Sequence, residues 1–352
     1  MSNIPTIVIG GTGYVAGELL RLLVGHPHLE VTGVMSESRA GSAIRDTFPQ
    51  LQDTLGKLAF GTKQDMLAML KGGGQWALFS AAPHGASAAL IAEFIEQAAA
   101  TGCKLTVVDV SADFRYADAN DYAAVYGQPH GAPQLLEQFA SAVPEHLAAT
   151  DKPHIGHPGC FATALLIAAV PLMKLGLTED NLYAFGITGS TGSGRTPAAG
   201  THHPERQSNL FAYKPLSHRH APEVSGICTA ITGRQPSLHF VPHSGPFARG
   251  IHMTVQAQLA TNQSADDVRN ALQEFYSDCA FISVRDGTPK IKNIVGSNYC
   301  HIGVAAEAGT VAVFVVIDNL VKGAAGGAIQ WMNRQLGFDE TAGLTAPALA
   351  WT

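Results

Sequence analysis

Pro158-Gly159-Cys160-Phe161-Ala162-Thr163 sets a thiol at a loop-to-helix transition. A helix N-terminus carries partial positive charge, which lowers a thiol's pKa and makes a thiolate nucleophile available near neutral pH. Most lone cysteines are small buried hydrophobes instead. Cys103, Cys228, Cys279 and Cys300 lack such a turn and are read that way. A nucleophilic thiol needs a proton partner, and His218-Arg219-His220-Ala221-Pro222-Glu223 offers two imidazoles around a guanidinium with a carboxylate close behind. One imidazole, His218 or its competitor His220, can act as general acid/base, and Glu223 can orient it. The bland reading of the same run is a solvated, hydrogen-bonded loop. His154, His157, His202 and His203 also come in pairs, but none of them has the ligand spacing of a zinc site, so no metal is expected.

A second chemistry sits at the start of the chain. Gly10-Gly11-Thr12-Gly13-Tyr14-Val15 contains Gly11-x-Gly13-x-x-Ala16, the dinucleotide fingerprint in its Ala-ending form. The glycines allow a tight turn and close approach to a pyrophosphate, which the free N–H groups of the next helix favour. The context suits it: the β-branched run Thr6 to Ile9 precedes the turn, and Val15, Leu19, Leu20, Leu22 and Leu23 follow at helical spacing. At the end of the second strand stands Ser36-Glu37-Ser38-Arg39. A guanidinium beside two hydroxyls suits the 2′-phosphate of NADP. Glu37 is the counter-signal, because a carboxylate there would hold the 2′-OH of NAD.

Two further runs could take anions. Gly189-Ser190-Thr191-Gly192-Ser193-Gly194-Arg195 lacks the Walker lysine and is no P-loop, but its N–H groups, hydroxyls and Arg195 suit a phosphate or carboxylate. Asp109-Val110-Ser111-Ala112-Asp113-Phe114-Arg115 ends a parallel strand, at the edge that faces the ligand crevice of an open α/β sheet. Arg115 is therefore a candidate for an anionic substrate group, against a salt bridge to Asp113 or Asp118.

The elements that must position these groups follow from the apolar pattern. Strands are expected at Leu29 to Met35, Ala77 to Ser80 and Leu105 to Val110, with an Ala-rich helix at Ala86 to Ala100. This alternation implies an open parallel sheet. Beyond Cys160 come a helix from Ala162 to Lys174 and strand-like runs at Leu182 to Thr188, Gly226 to Ile231, Ile251 to Leu259 and Val311 to Asp318. Few helices separate them, Ala265 to Tyr276 behind Ser264 being one, so an α+β unit with a mostly antiparallel sheet is expected. A last, small-residue-rich helix begins near Leu320.

Composition narrows the classes. A net charge of −6 gives a nucleic-acid or anionic-membrane role no support. Five scattered cysteines without a CxxC pair fit a reducing compartment rather than a disulfide scaffold. With no signal peptide and no apolar stretch of spanning length, a cytoplasmic protein is expected.

Together these pieces resemble the N-acetyl-gamma-glutamyl-phosphate reductases of the semialdehyde dehydrogenase superfamily. The resemblance rests on the glycine turn, the run Asp109 to Arg115, the Cys160 turn, the loop ending at Arg195 and His218 to Glu223. It continues through Phe240-Val241-Pro242-His243 and Asp318-Asn319-Leu320-Val321-Lys322-Gly323-Ala324-Ala325-Gly326. It implies an NADPH-binding Rossmann domain over 1–159, to which the helix 320–352 returns, and a catalytic and oligomerisation domain over 160–319. It carries the nucleophile onto Cys160 and the acid/base onto His218. Arg115, Arg219, His220, Ser190 and Arg195 are then expected at the substrate. Gly10 to Val15, Ser36, Ser38, Arg39, Ser80, Pro83, Asn319 and Lys322 are expected at the cofactor. The implied reaction reduces N-acetyl-gamma-glutamyl phosphate to the semialdehyde in arginine biosynthesis, in a homo-oligomer. Two departures stand out. Ala16-Gly17 replaces the usual Gly-then-Ala order, and Thr191 and Ser193 stand where smaller or apolar residues are common. Alternatives are aspartate-semialdehyde dehydrogenase, against which the HRHxPE run argues, a reductase of a carrier-linked acyl phosphate as in lysine biosynthesis, and a catalytically silent NADP-binding regulator.

Overall fold

The structure, a computed structural model, describes residues 3–350. The described chain divides into two units: one within Met1–Ser141, Ala149–His157 and Ala325–Thr345, the other within Ala142–Ala148, Pro158–Ala324 and Ala346–Thr352.

The first unit is built on a six-stranded, wholly parallel sheet in the order β2-β1-β3-β4-β6-β5. Its strands are β1 (Ile4–Ile9), β2 (Leu29–Val34), β3 (Gln75–Ser80), β4 (Lys104–Asp109), β5 (Phe139–Ala140) and β6 (His154–Gly156). The helices Tyr14–Leu23 and Ser87–Thr101 connect them. The expected parallel sheet is present, with boundaries moved by one or two residues. The helix Gly326–Leu336 is buried from Gly326 to Asn333 and packs on β4, which is why small residues crowd its start. It begins later than Leu320, because Val321–Ala325 forms one wide π-type turn first.

The second unit carries a seven-stranded sheet in the order β11-β12-β13-β10-β7-β9-β8. Its strands are β7 (Thr178–Thr188), β8 (Phe211–Ala212), β9 (Ser237–Ser244), β10 (Ile251–Leu259), β11 (Ile282–Val284), β12 (Cys300–Glu307) and β13 (Thr310–Ile317). Only β7 with β9 and β11 with β12 run parallel. The expected mostly antiparallel sheet is therefore present. Gly226 to Ile231 is a correction: it lies inside the helix His220–Thr232. Its β-branched residues favour a strand locally. However, Val224, Ile227 and Cys228 recur at helical spacing and are buried, so packing overrides propensity. The helix Cys160–Lys174 is buried from Phe161 to Met173, as an all-round apolar helix must be, and forms the centre of this unit's core.

Buried imidazoles give the fold a pH signature. Burial holds His154 of the first unit and His146 and His301 of the second at a pKa of about 4, with Arg285 adding to the effect at His301. A folded pKa below the ordinary 6.5 means that the unfolded chain binds more protons between those values. Stability is thus fully present above pH 6.5 and is lost as pH falls toward 4. Each such histidine contributes a slope of at most about 1.4 kcal/mol per pH unit. Urea midpoints at pH 7.5, 6 and 5 should fall steeply; a flat profile would contradict the buried neutral assignments.

Candidate active site

Cys160 is the first residue of the Cys160–Lys174 helix, and Gly159 caps it without a side-chain hydrogen bond. The N-terminal field therefore acts on the thiol, favouring the thiolate. The turn before it is anchored from the next helix: the Gly159 N–H donates to Glu223 Oε1 at 2.7 Å. Glu223 is buried in the first turn of His220–Thr232. Its carboxylate thus holds the backbone that presents Cys160, where the sequence suggested that it orients an imidazole. Opposite the turn, Gly323 packs on the nucleophile. A Cβ there would stand 2.9 Å from Cys160 Cβ, so the glycine of the Asp318–Gly326 motif exists for this contact.

His218 is buried, in edge-to-face contact with Phe161 at 5.9 Å and Phe240 at 5.5 Å between ring centroids. Its Nδ1 accepts the His220 N–H at 3.2 Å. In neutral His218 the proton must then sit on Nε2, aimed away from that bond. Burial, with Arg219 and Lys214 nearby, pulls its pKa down to about 4, so the ring is neutral at physiological pH. His220 is also buried, its ring 4.7 Å from that of His218. Arg219, between them, is exposed. The HRHxPE run is therefore a helix start with its imidazoles inside, not a solvated loop. Tyr213 was missed by the sequence reading. Its ring lies edge-to-face on His218 at 5.6 Å, and burial and the Cys160 charge push its phenol pKa up. A lone tyrosine in the polar segment before the histidines was its only trace.

Several expected ligand contacts are spent inside the protein. The N–H groups of Gly189, Ser190 and Thr191 donate to the carbonyls of Gly250, Phe247 and Ala248. No backbone cradle is therefore left across those three residues, and Ser190 can offer only its side chain. Asn319 accepts from the Gly250 N–H at 2.8 Å and donates to Thr191 Oγ1 at 3.0 Å, stapling that loop. Lys322, expected at the cofactor, is fully buried and ion-paired with Glu145. In the first unit, Arg115 Nε and Nη2 donate to the carbonyls of His157 and Val110, each at 2.9 Å. These bonds tie the guanidinium to two strand ends. Ser80 is also fully buried, 2.6 Å from Ser87 Oγ, in a network that ends on Asp109. Burial raises the Asp109 pKa to about 6 against the hydrogen bonds from Ser111 and Ser87.

The glycine turn of the first unit fits a nucleotide. Gly10 has φ +74°, and a Cβ there would stand 2.4 Å from Ala82 N. At Gly11 it would meet Val34 and the Met35 carbonyl, whereas Gly13 faces open space. The helix Tyr14–Leu23 has neither a side-chain cap nor an acid in its first turn, which leaves its N-terminus suited to a pyrophosphate. Tyr14 and Pro83 are exposed, and Thr12 and Val15 half-buried. Gly17 lies against the Phe48 ring, so the reversed Ala16-Gly17 order serves packing. Ser36 Oγ is 3.4 Å from Ser38 Oγ, and Arg39 is exposed. Glu37 accepts the Lys63 N–H at 2.8 Å, which engages one oxygen of the carboxylate that argued for NAD.

Residues 6–139 match the model of the semialdehyde dehydrogenase NAD binding domain, and residues 160–319 that of the semialdehyde dehydrogenase dimerisation domain. Over 345 residues the chain is 38% identical to N-acetyl-gamma-glutamyl-phosphate reductase of Pseudomonas fluorescens strain SBW25, covering 96% of this chain and 97% of the relative. The chain belongs to the N-acetyl-gamma-glutamyl-phosphate reductase family. The Pseudomonas aeruginosa strain UCBPP-PA14 reductase is equally similar, 38% over 350 residues, covering 97% and 98%. The fold of this reductase-family chain is shared with aspartate semialdehyde dehydrogenase II of Vibrio cholerae, at TM-score 0.68 and 17% identity, covering 96% and 99%. It is also shared with the Candida albicans aspartate semialdehyde dehydrogenase solved with NADP, at TM-score 0.66 and 17% identity, covering 93% and 97%. Among the described residues no helix is long and apolar enough to cross a membrane, and no metal-ligating cluster is found.

Proposed function

We propose that this chain reduces N-acetyl-gamma-glutamyl phosphate to N-acetylglutamate semialdehyde with release of phosphate, in arginine biosynthesis. The observation that carries the reading is whole-length kinship to reductases of that name, joined to a thiol at a helix start with a buried histidine and glutamate beside it. The aspartate-semialdehyde alternative has only the fold behind it, at 17% identity. The Cys160 thiolate attacks the acyl carbon; the carbon–oxygen bond to phosphate breaks, and a thioester remains. NADPH, which Gly10 to Val15, Ser36, Ser38, Arg39 and Pro83 would hold, supplies the hydride. The oxyanion that develops at the acyl carbon is stabilised by His218 Nε2–H and by N–H groups at the start of the Cys160 helix. Its collapse releases the aldehyde and returns the thiolate; the one proton that the overall reaction takes up goes to the departing phosphate. Glu223 fixes the turn, burial with the help of Arg219 keeps His218 neutral, and Arg219 adds positive charge for anions.

We place the enzyme in the cytoplasm, since none of its five cysteines is in a disulfide. We also place it in a homo-oligomer, in line with the matched dimerisation domain. Tyr183 and Phe185 stand out from the outer face of β7, a patch suited to self-association. Sedimentation as a monomer at micromolar concentration would contradict that assembly. The reaction itself is tested by iodoacetamide labelling of Cys160 with and without N-acetylglutamate semialdehyde. Protection by the semialdehyde is expected, and unprotected labelling would contradict attack by this thiol.

A further inference from the structure

Arg206 stands apart from the other cations of the second unit. It is 8% exposed, and its Nε and Nη2 have no hydrogen-bond partner among the described residues. Its Nη1 donates to the carbonyls of Asn209 at 3.1 Å and Ser244 at 3.3 Å, and the guanidinium lies 5.8 Å from the Phe211 ring centre. The group is therefore fixed in place while its Nε/Nη2 edge stays unbonded. That edge matches the two oxygens of a carboxylate. The same unit shows the filled form: Arg249 donates through Nε and Nη2 to the two oxygens of Asp318, at 3.0 and 3.1 Å. A guanidinium removed from water without an anion is costly, so the working enzyme must fill this edge.

Its place in the fold says with what. Three alternate carbonyls on one edge of β9 hold three groups: Phe240 takes the Leu216 N–H, Pro242 the Tyr213 N–H, and Ser244 the Arg206 guanidinium. The first two carry the segment of Tyr213 and His218 beside Cys160. Arg206 is anchored two residues further along the same edge, ~6.6 Å beyond the Tyr213 anchor at the rise of a strand. We infer that the Nε/Nη2 edge of Arg206 receives the α-carboxylate of the acyl substrate, so that the substrate lies along β9 with its acyl carbon at Cys160. The inference rests on the reaction proposed above.

The test compares wild type, Arg206→Gln and Arg206→Lys in the reverse reaction, with N-acetylglutamate semialdehyde, phosphate and NADP varied in turn. Loss of a bidentate charged contact should raise the KM for the semialdehyde roughly 10- to 100-fold in Arg206→Gln. The KM values for phosphate and NADP should hold. Arg206→Lys, which keeps the charge and loses the fork, should fall between and carries the test if the glutamine variant does not fold. Calorimetric titration with N-acetylglutamate, which bears the same α-carboxylate, needs no turnover. Binding by wild type that is lost in Arg206→Gln supports the fork even if the assigned reaction fails. A rise in the phosphate KM alone would give the edge to phosphate. A lighter assembly with unchanged KM values would give it to a carboxylate of a second copy. Either result, or no change in any reading, overturns the inference.

Discussion

Cys160→Ser should lose reductase activity by at least ~1,000-fold, because no other group beside the acyl carbon can form the covalent intermediate. A serine hydroxyl at the same helix start is too weak an acid to ionise near neutral pH, and the field of one helix end cannot make up that difference. NADPH affinity should not change, since the residues proposed to hold the cofactor lie in the glycine turn and the Ser36–Arg39 segment. Stopped-flow turnover and fluorescence titration of NADPH on the same preparation separate the two. Turnover near the wild-type rate would remove Cys160 from the chemistry. A parallel loss of NADPH binding would mean that the substitution damages the fold.

The second large effect is expected far from any reacting atom. Lys322 and Glu145 are each all but completely buried and form an ion pair, with the Lys322 ammonium 5.8 Å from the centre of the Phe281 ring. Lys322→Met leaves a carboxylate in the interior without its counter-charge, which costs about 3–5 kcal/mol. A urea midpoint should show this directly. Replacing both partners, Lys322→Met with Glu145→Leu, should recover most of the loss, because a buried pair is worth little more than a well-packed apolar one. Gly323, the next residue, touches Cys160, so activity should fall in the single variant beyond what its unfolded fraction explains. A single variant within about 1 kcal/mol of wild type would show that the pair does not hold this turn.

The difference between those two residues shows what could be read in advance. Cys160 was legible because its signal is local: a Pro-Gly turn, then a helix. The parallel sheet and the alternation along β7, β10 and β13 were legible for the same reason. Lys322, Asn319, Arg115 and Ser80 were not, because a side chain's type shows that it can bond an anion or a cofactor but not which acceptor it meets first. Lys322 and Asn319 bond partners distant in sequence, Glu145 and Gly250. Arg206 is the converse: nothing in His202 to Gln207 marks it, and only its buried, unbonded Nε/Nη2 edge does. The strand β9 was obscured by Pro242, which a central strand would not tolerate. It is accommodated because β8 covers only Ser244 and His243 on that side, and the Pro242 carbonyl accepts the Tyr213 N–H.

The central claim is the reaction, and it is tested most directly in reverse, because the acyl phosphate is unstable. Purified enzyme is mixed with N-acetylglutamate semialdehyde and NADP, with and without inorganic phosphate, and NADPH absorbance is followed. The account predicts NADPH formation that requires phosphate, since phosphate must attack the thioester on Cys160 to release the product. Silence with this semialdehyde, together with phosphate-dependent turnover of aspartate semialdehyde or of a carrier-linked semialdehyde, would contradict it.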